Sequence, residues 1–132
     1  MIVDLNEKPG VWFDLKDGGR VKLRILTADD WKNIRKVTVK KVPFIAMVEN
    51  RNQVFNQEVT DEDKQMEMIH DLSIVDWEGF VDKNQEPIPC TSENKSKFML
   101  LESPFFRDFV AEKLKMMRDA DEKDSEEKIK NL

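Results

Sequence analysis

The sequence predicts an α+β fold, mainly α, with an N-terminal β-hairpin followed by about four helices in one compact domain. Three observations point there. The first is a strand–turn–strand signal near the start, where Val11-Trp12-Phe13-Asp14-Leu15 and Arg20-Val21-Lys22-Leu23-Arg24-Ile25 flank Lys16-Asp17-Gly18-Gly19. The second segment alternates polar and apolar residues, and the Asp-Gly-Gly turn supplies glycines that take positive φ without penalty. The second observation is a set of helix starts at Thr27, Thr60, Thr91 or Ser92, and Ser103-Pro104. Each offers a hydroxyl cap, and proline suits a first helical turn. The third is size: 132 residues support one modest core.

Each element has its own warrant. Val21, Leu23 and Ile25 fall on one face of the second strand, with Arg20, Lys22 and Arg24 on the other. Thr27 with Asp30 three residues on, and acidic residues in the first turn, starts a helix. That helix runs through Trp31 and Ile34 to about Lys36 or Lys41, although Val37-Thr38-Val39 also fits a strand. Pro43 stops any helix before it. Between Pro43 and Gln57 no helical period shows. Pro43–Val48 reads as a short strand and Asn50–Gln53 as a turn.

A second helix starts at Thr60, with Met66, Ile69 and Ser73 on one stripe, and Ile74-Val75 end or leave it. Trp77–Asp82 is a tight, partly buried connection, and Pro87-Ile88-Pro89 is held extended. A third helix spans about Glu93 to Leu101. On the fourth, Phe106, Phe109, Val110, Leu114 and Met117 share a face, which Phe105 and Met116 widen. Residues 1–118 are therefore expected to form one globular domain. Residues 119–132, almost all charged, are expected to be a frayed helix or a disordered tail.

Composition narrows the function. Apolar residues make up 39% and charged residues 37%, and the net charge is −5. The charge is unevenly placed. Residues 1–58 carry 11 basic and 8 acidic side chains, while 59–132 carry 11 and 19. Arg20–Lys41 alone holds eight basic residues against Asp29 and Asp30. Such a stretch could meet nucleic acid, but only Trp31 is interleaved for stacking and the whole chain is acidic, which argues against it. No apolar run approaches the roughly 18 residues of a membrane span. No charged-then-apolar leader opens the chain, so a cytoplasmic location is expected.

Catalytic and metal chemistry has little material. A single cysteine, Cys90, cannot form an intramolecular disulfide or a zinc site, and His70 is the one histidine. His70 near Glu62, Glu67 and Asp71 lacks any nucleophile motif, so it reads as a surface or half-buried helix residue. Cys90 before a helix N-terminus lacks a base partner and reads as structural. Asp82-Lys83-Asn84-Gln85-Glu86-Pro87 has proline where a calcium loop needs glycine, and reads as a solvated turn. Neither a catalytic residue, a metal ligand nor a cofactor is expected.

Two stretches resemble small proteins of the tail-gene region of tailed phages and prophages, some of them tail assembly chaperones. One is Ile74-Val75-Asp76-Trp77-Glu78-Gly79-Phe80-Val81-Asp82, continued by Glu86-Pro87-Ile88-Pro89-Cys90-Thr91-Ser92-Glu93-Asn94-Lys95. The other is Ser103-Pro104-Phe105-Phe106-Arg107-Asp108-Phe109-Val110. The resemblance covers about residues 11–36 and 60–115 and brings no active-site residues with it. It implies a non-enzymatic assembly helper in the cytoplasm of the bacterial host. Such a helper binds the tape-measure protein, and by extension the tail tube protein, and works in several copies. A structural tail completion or connector protein of the virion is the alternative, followed by a nucleic-acid-binding regulator using Arg20–Lys41. The physical reading makes Trp77, Gly79, Pro87, Pro89 and Thr91 a structural corner. It offers Phe105, Phe106, Phe109, Met116 and Met117 as partner-binding residues, because apolar faces rich in methionine and phenylalanine adapt to varied partners.

Overall fold

A computed structural model describes residues 9–100 and 104–130, the side chains of 125–130 excepted. The N-terminal hairpin forms as its alternation requires: β1 (Val11–Asp14) pairs antiparallel with β2 (Arg20–Leu23), with Phe13 opposite Val21 and Trp12 opposite Lys22. Leu15 N–H donates to the Gly19 carbonyl at 2.7 Å, and Gly18 sits at φ 92° in the turn. Val21 and Leu23 are fully buried on one face. Lys22, on the other, is also buried, contrary to the expected solvated side. Its stem is covered by Gly10, where a β-carbon would lie 3.0 Å from Lys22 Cγ, and its ammonium lies 5.9 Å from the centre of the Trp12 ring.

β2 is the middle strand of a three-stranded sheet in the order β1-β2-β5, where β5 is Ile74–Glu78. Val21 faces Trp77 and Arg20 faces Glu78, and a bulge falls between Lys22 and Leu23. Helices α3 (Ser92–Met99) and α4 (Phe105–Lys130) complete this part of the molecule. Its core joins Val21, Leu23, Ile74, Trp77, Met99, Phe106 and Val110, with Phe109, Leu114 and Met117 packed against it. The α4 stripe therefore does what its helical spacing dictates. Thr91 caps α3, its Oγ accepting from Asn94 N–H at 3.2 Å. The expected continuation of α3 to Leu101 and the Ser103 cap lie outside the described residues, while Asp108 N–H donates to the Pro104 carbonyl at 2.8 Å. Beyond Arg118 the chain continues as helix, with every described side chain from Asp119 to Asp124 exposed.

The middle of the chain departs most from expectation. Helix α1 (Ala28–Thr38) starts as predicted, with a full capping box: Thr27 Oγ accepts from Asp30 N–H at 3.2 Å, and Asp30 Oδ2 accepts from Thr27 N–H at 2.8 Å. It then passes directly into β3 (Val39–Val48), which pairs along its whole length with β4 (Arg51–Thr60). The turn between them is only Glu49-Asn50, at φ 52° and 62°. Pro43–Val48 is therefore strand as expected but only part of a ten-residue one, Asn50 alone of Asn50–Gln53 lies in the turn, and α1 ends at Thr38, between the two expected ends at about Lys36 and Lys41. Helix α2 (Glu62–Ser73) begins a residue later than expected, and Asp61 rather than Thr60 accepts the amide, from Lys64 N–H at 3.1 Å.

The expectation of a mainly α fold in one compact domain is corrected accordingly. Among the described residues there are four helices and five strands in two antiparallel sheets, a mixed α+β fold. The chain divides into two compact units, one made of the segments up to Ile25 and from His70 onward, the other of Leu26–Ile69. The full length of β3 and the whole of β4 escaped the sequence reading for a physical reason. Both faces of this hairpin meet solvent, so neither strand carries the one-sided alternation that reveals a half-buried strand.

Candidate functional site

The corner between β5 and α3 is built around Trp77. Its indole N–H donates to the Ile88 carbonyl at 2.7 Å, and its ring meets Phe80, Phe98 and Phe106 at centroid distances of 5.2, 4.9 and 6.4 Å. These mostly tilted and edge-on pairs suit the quadrupoles of the rings. Gly79 follows at φ 81°, where a β-carbon would stand 3.0 Å from Gly19 Cα. Gly19 is equally constrained, since a β-carbon there would fall 2.5 Å from Phe80 Cε1. Two backbones therefore touch because neither residue has a side chain. Pro87 bridges to Val81, and the Pro89 carbonyl accepts from the Asn94 side-chain amide at 2.9 Å.

A shallow apolar groove of about 240 Å³ opens beside this corner. Phe80, Phe98 and Phe106 line it together with Leu15, Gly19 and Phe105. The five residues expected to bind a partner are thus separated. Phe106 is buried in the core, and Phe109 and Met117 are half-buried against it. Phe105 is 47% exposed and Met116 is 52% exposed. Lys113 lies between these two along α4, its ammonium 5.4 Å from the centre of the Phe109 ring and 3.9 Å from Met116 Sδ. Phe105, Phe109, Lys113 and Met116 thus follow one line along α4, with a cation between the apolar side chains, while most of the other exposed residues of the helix are charged.

Several of the remaining polar groups are engaged within the fold. Lys95 is buried and donates from Nζ to the Asp71 carbonyl at 2.9 Å and to Asp71 Oδ1 at 3.1 Å, which also accepts from Ser92 Oγ at 2.7 Å. Arg20 Nε lies 2.6 Å from Glu78 Oε2, and this bond holds the Glu78 carboxyl below its ordinary range. Asp82 Oδ1 accepts from the N–H groups of Asn84 and Glu86 at 2.8 and 3.0 Å, the geometry of a turn. His70 is half-buried, and desolvation, then the positive charge of Arg107, push its pKa below 6.5. Among the described residues, no three His, Cys, Asp or Glu side chains are grouped to hold a metal ion. The basic stretch is shared out: Arg20, Lys22 and Arg24 belong to one unit, Lys32, Arg35, Lys36, Lys40 and Lys41 to the other. Trp31 lines a surface hollow with Lys32 and Arg35.

Sequence reasoning missed the apolar surface of the β3–β4 hairpin, where Ile45, Met47 and Val54 are each about 70% exposed. The signal available was the run Phe44-Ile45-Ala46-Met47-Val48 itself, apolar on both strand faces.

No family model, no curated protein and no solved structure matches the chain. No helix among the described residues is long and apolar enough to cross a membrane.

Proposed function

We propose that this chain is a non-enzymatic assembly protein of a tailed phage or prophage. It acts as a tail assembly chaperone, binding the tape-measure protein in the host cytoplasm and keeping it soluble while tail tube subunits assemble. The observation that carries the reading is the open aromatic groove lined by exposed Phe105, with exposed Met116 further along the same helix. A helical client with apolar stripes needs such a receptor, and a groove floored by phenylalanine accepts varied side chains. The charged, exposed continuation of α4 suits a protein that must keep an apolar client in solution. The Trp77–Thr91 corner, which carries the resemblance to phage tail-region proteins, sets the position of the groove-lining Phe80 and Phe98.

The test is co-expression with the tape-measure protein encoded in the same genome. The expected result is a soluble, co-purifying complex that is lost in the Phe105→Ser/Met116→Ser double variant, with little or none of this chain in purified virions. A client equally soluble without this chain overturns the reading. Stoichiometric retention in virions favours a structural tail component instead.

A further inference from the structure

We propose that the outer edge of β4 is a self-association site, where β4 of a second copy adds antiparallel to make a four-stranded sheet with its two-fold axis at Phe55.

The main-chain phase of the hairpin decides which groups are free. A two-residue turn makes Val48 and Arg51 a hydrogen-bonded pair, and such pairs recur at every second position. The other end of the ribbon agrees, because Asp61 N–H donates to the Thr38 carbonyl at 2.8 Å, in step with that alternation. Pro43, opposite Asn56, therefore occupies a position whose nitrogen points away from β4. The outer edge of β3 lacks a donor there and carries Lys40 and Lys41, both features that discourage strand addition. The outer edge of β4 has neither proline nor lysine, and its charges are confined to Arg51 and Glu58 near the ends. The main-chain groups of Asn52, Val54, Asn56 and Glu58 point outward along it.

This asymmetry selects the occupant. A β3 edge added to a β4 edge would repeat without closing, and Pro43 opposes it. A β4–β4 pair closes after two copies. Facing residues must share a face and a hydrogen-bonding phase, which restricts the register. Centring on Phe55 sets Val54 against Asn56 and Asn52 against Glu58 as hydrogen-bonded pairs, and Gln53 against Gln57 as side-chain neighbours. Phe55 then meets its own copy in a non-hydrogen-bonded pair, where side chains approach closest. Within one copy Phe44 already stacks on Phe55, with centroids 5.6 Å apart and planes at 28°. The proposed pairing extends that stack to a row of four rings, and no like charges face each other. Every side chain of β4 is exposed, so nothing among the described residues covers it.

The test is sedimentation of the full-length protein over about 1 to 200 µM, since self-association follows mass action. Dimerisation of the wild type is expected. Val54→Pro removes an outward donor as Pro43 does on β3, and is expected to weaken the dimer at least tenfold while circular dichroism stays unchanged. Met47→Pro, the equivalent change on the β3 edge, is expected to leave the dimer intact. In a Cys90→Ala background, Phe55→Cys is expected to cross-link between copies under mild oxidation and Gln53→Cys much less. The cross-link reads the register even if a proline variant misfolds. A wild type that stays monomeric throughout, including one that takes up an added foreign strand peptide, overturns the proposal. So does a dimer indifferent to Val54→Pro, or one that cross-links equally at both positions.

Discussion

Replacing Trp77 with phenylalanine tests the corner directly. Trp77 is 5% exposed, and its N–H is a hydrogen-bond partner of the Ile88 carbonyl. Phenylalanine leaves that part-buried carbonyl without this donor, a loss of about 1–3 kcal/mol. It also removes a ring's width of packing against Phe80, Phe98 and Phe106, which adds about 1–2 kcal/mol of lost contact and residual cavity. The expected destabilisation is about 2–5 kcal/mol, and with an m-value of about 2 kcal/mol/M in urea the midpoint falls by about 1–2.5 M. The assay is urea unfolding in a Trp31→Phe background, where Trp12 fluorescence reports on the unit containing both Trp12 and Trp77. Trp12→Phe, followed by far-UV circular dichroism, is the comparison. Trp12 is half-buried, its ring lies 4.2 Å from Arg20 Cζ, and its loss is expected to cost no more than about 1 kcal/mol. A Trp77→Phe protein within about 0.5 kcal/mol of its parent would refute the account of the corner.

Gly79→Ala is expected to lower the melting temperature more than Gly18→Ala. Both sites have positive φ, costing about 1–2 kcal/mol, but only at Gly79 does the new methyl press on the Gly19 backbone. His70 makes stability pH-dependent. Because its folded pKa lies below 6.5, the unfolded chain takes the proton first, so stability is complete above that pH and falls on acidification by up to about 1.4 kcal/mol per unit. The slope between pH 6.5 and the folded pKa should flatten in His70→Gln, and an unchanged slope would refute it. Removal of residues 119–132 is expected to leave the thermal midpoint unchanged, because the described side chains there contact solvent. A cooperative loss of structure would show that the segment supports the core.

What the sequence disclosed follows from what it buries. The β1–β2 hairpin, the Thr27 capping box, the Thr91 cap and the α4 stripe were legible because each depends on local chemistry or on one buried face. Spacing put Phe106 on the core stripe and Phe105 and Met116 at its flanks, and the helix leaves both flanking residues exposed. Most of the β3–β4 hairpin beyond Pro43–Val48 was illegible for the opposite reason. Its apolar residues point to both sides, its proline sits at a tolerated edge position, and Glu49-Asn50 carries none of the glycine that marks tight turns. The third strand of the first sheet could not be foreseen either, because β5 reaches β2 only after some fifty intervening residues.

That separation has a consequence for the history and engineering of the chain. Arg24 N–H donates to the Ser73 carbonyl at 3.0 Å, so the segment between them leaves and re-enters the first sheet at one point. A segment with joined ends can lengthen, shorten or be exchanged at little thermodynamic cost, since doubling a loop adds only about 0.6 kcal/mol of closure entropy. Leu26–Ile69 is then an insertion between two strands of the first sheet, and its length is free to change without breaking the β2–β5 pairing. The Trp77 corner and the groove beside it draw no residue from that insertion, so a change in its length leaves their contacts in place.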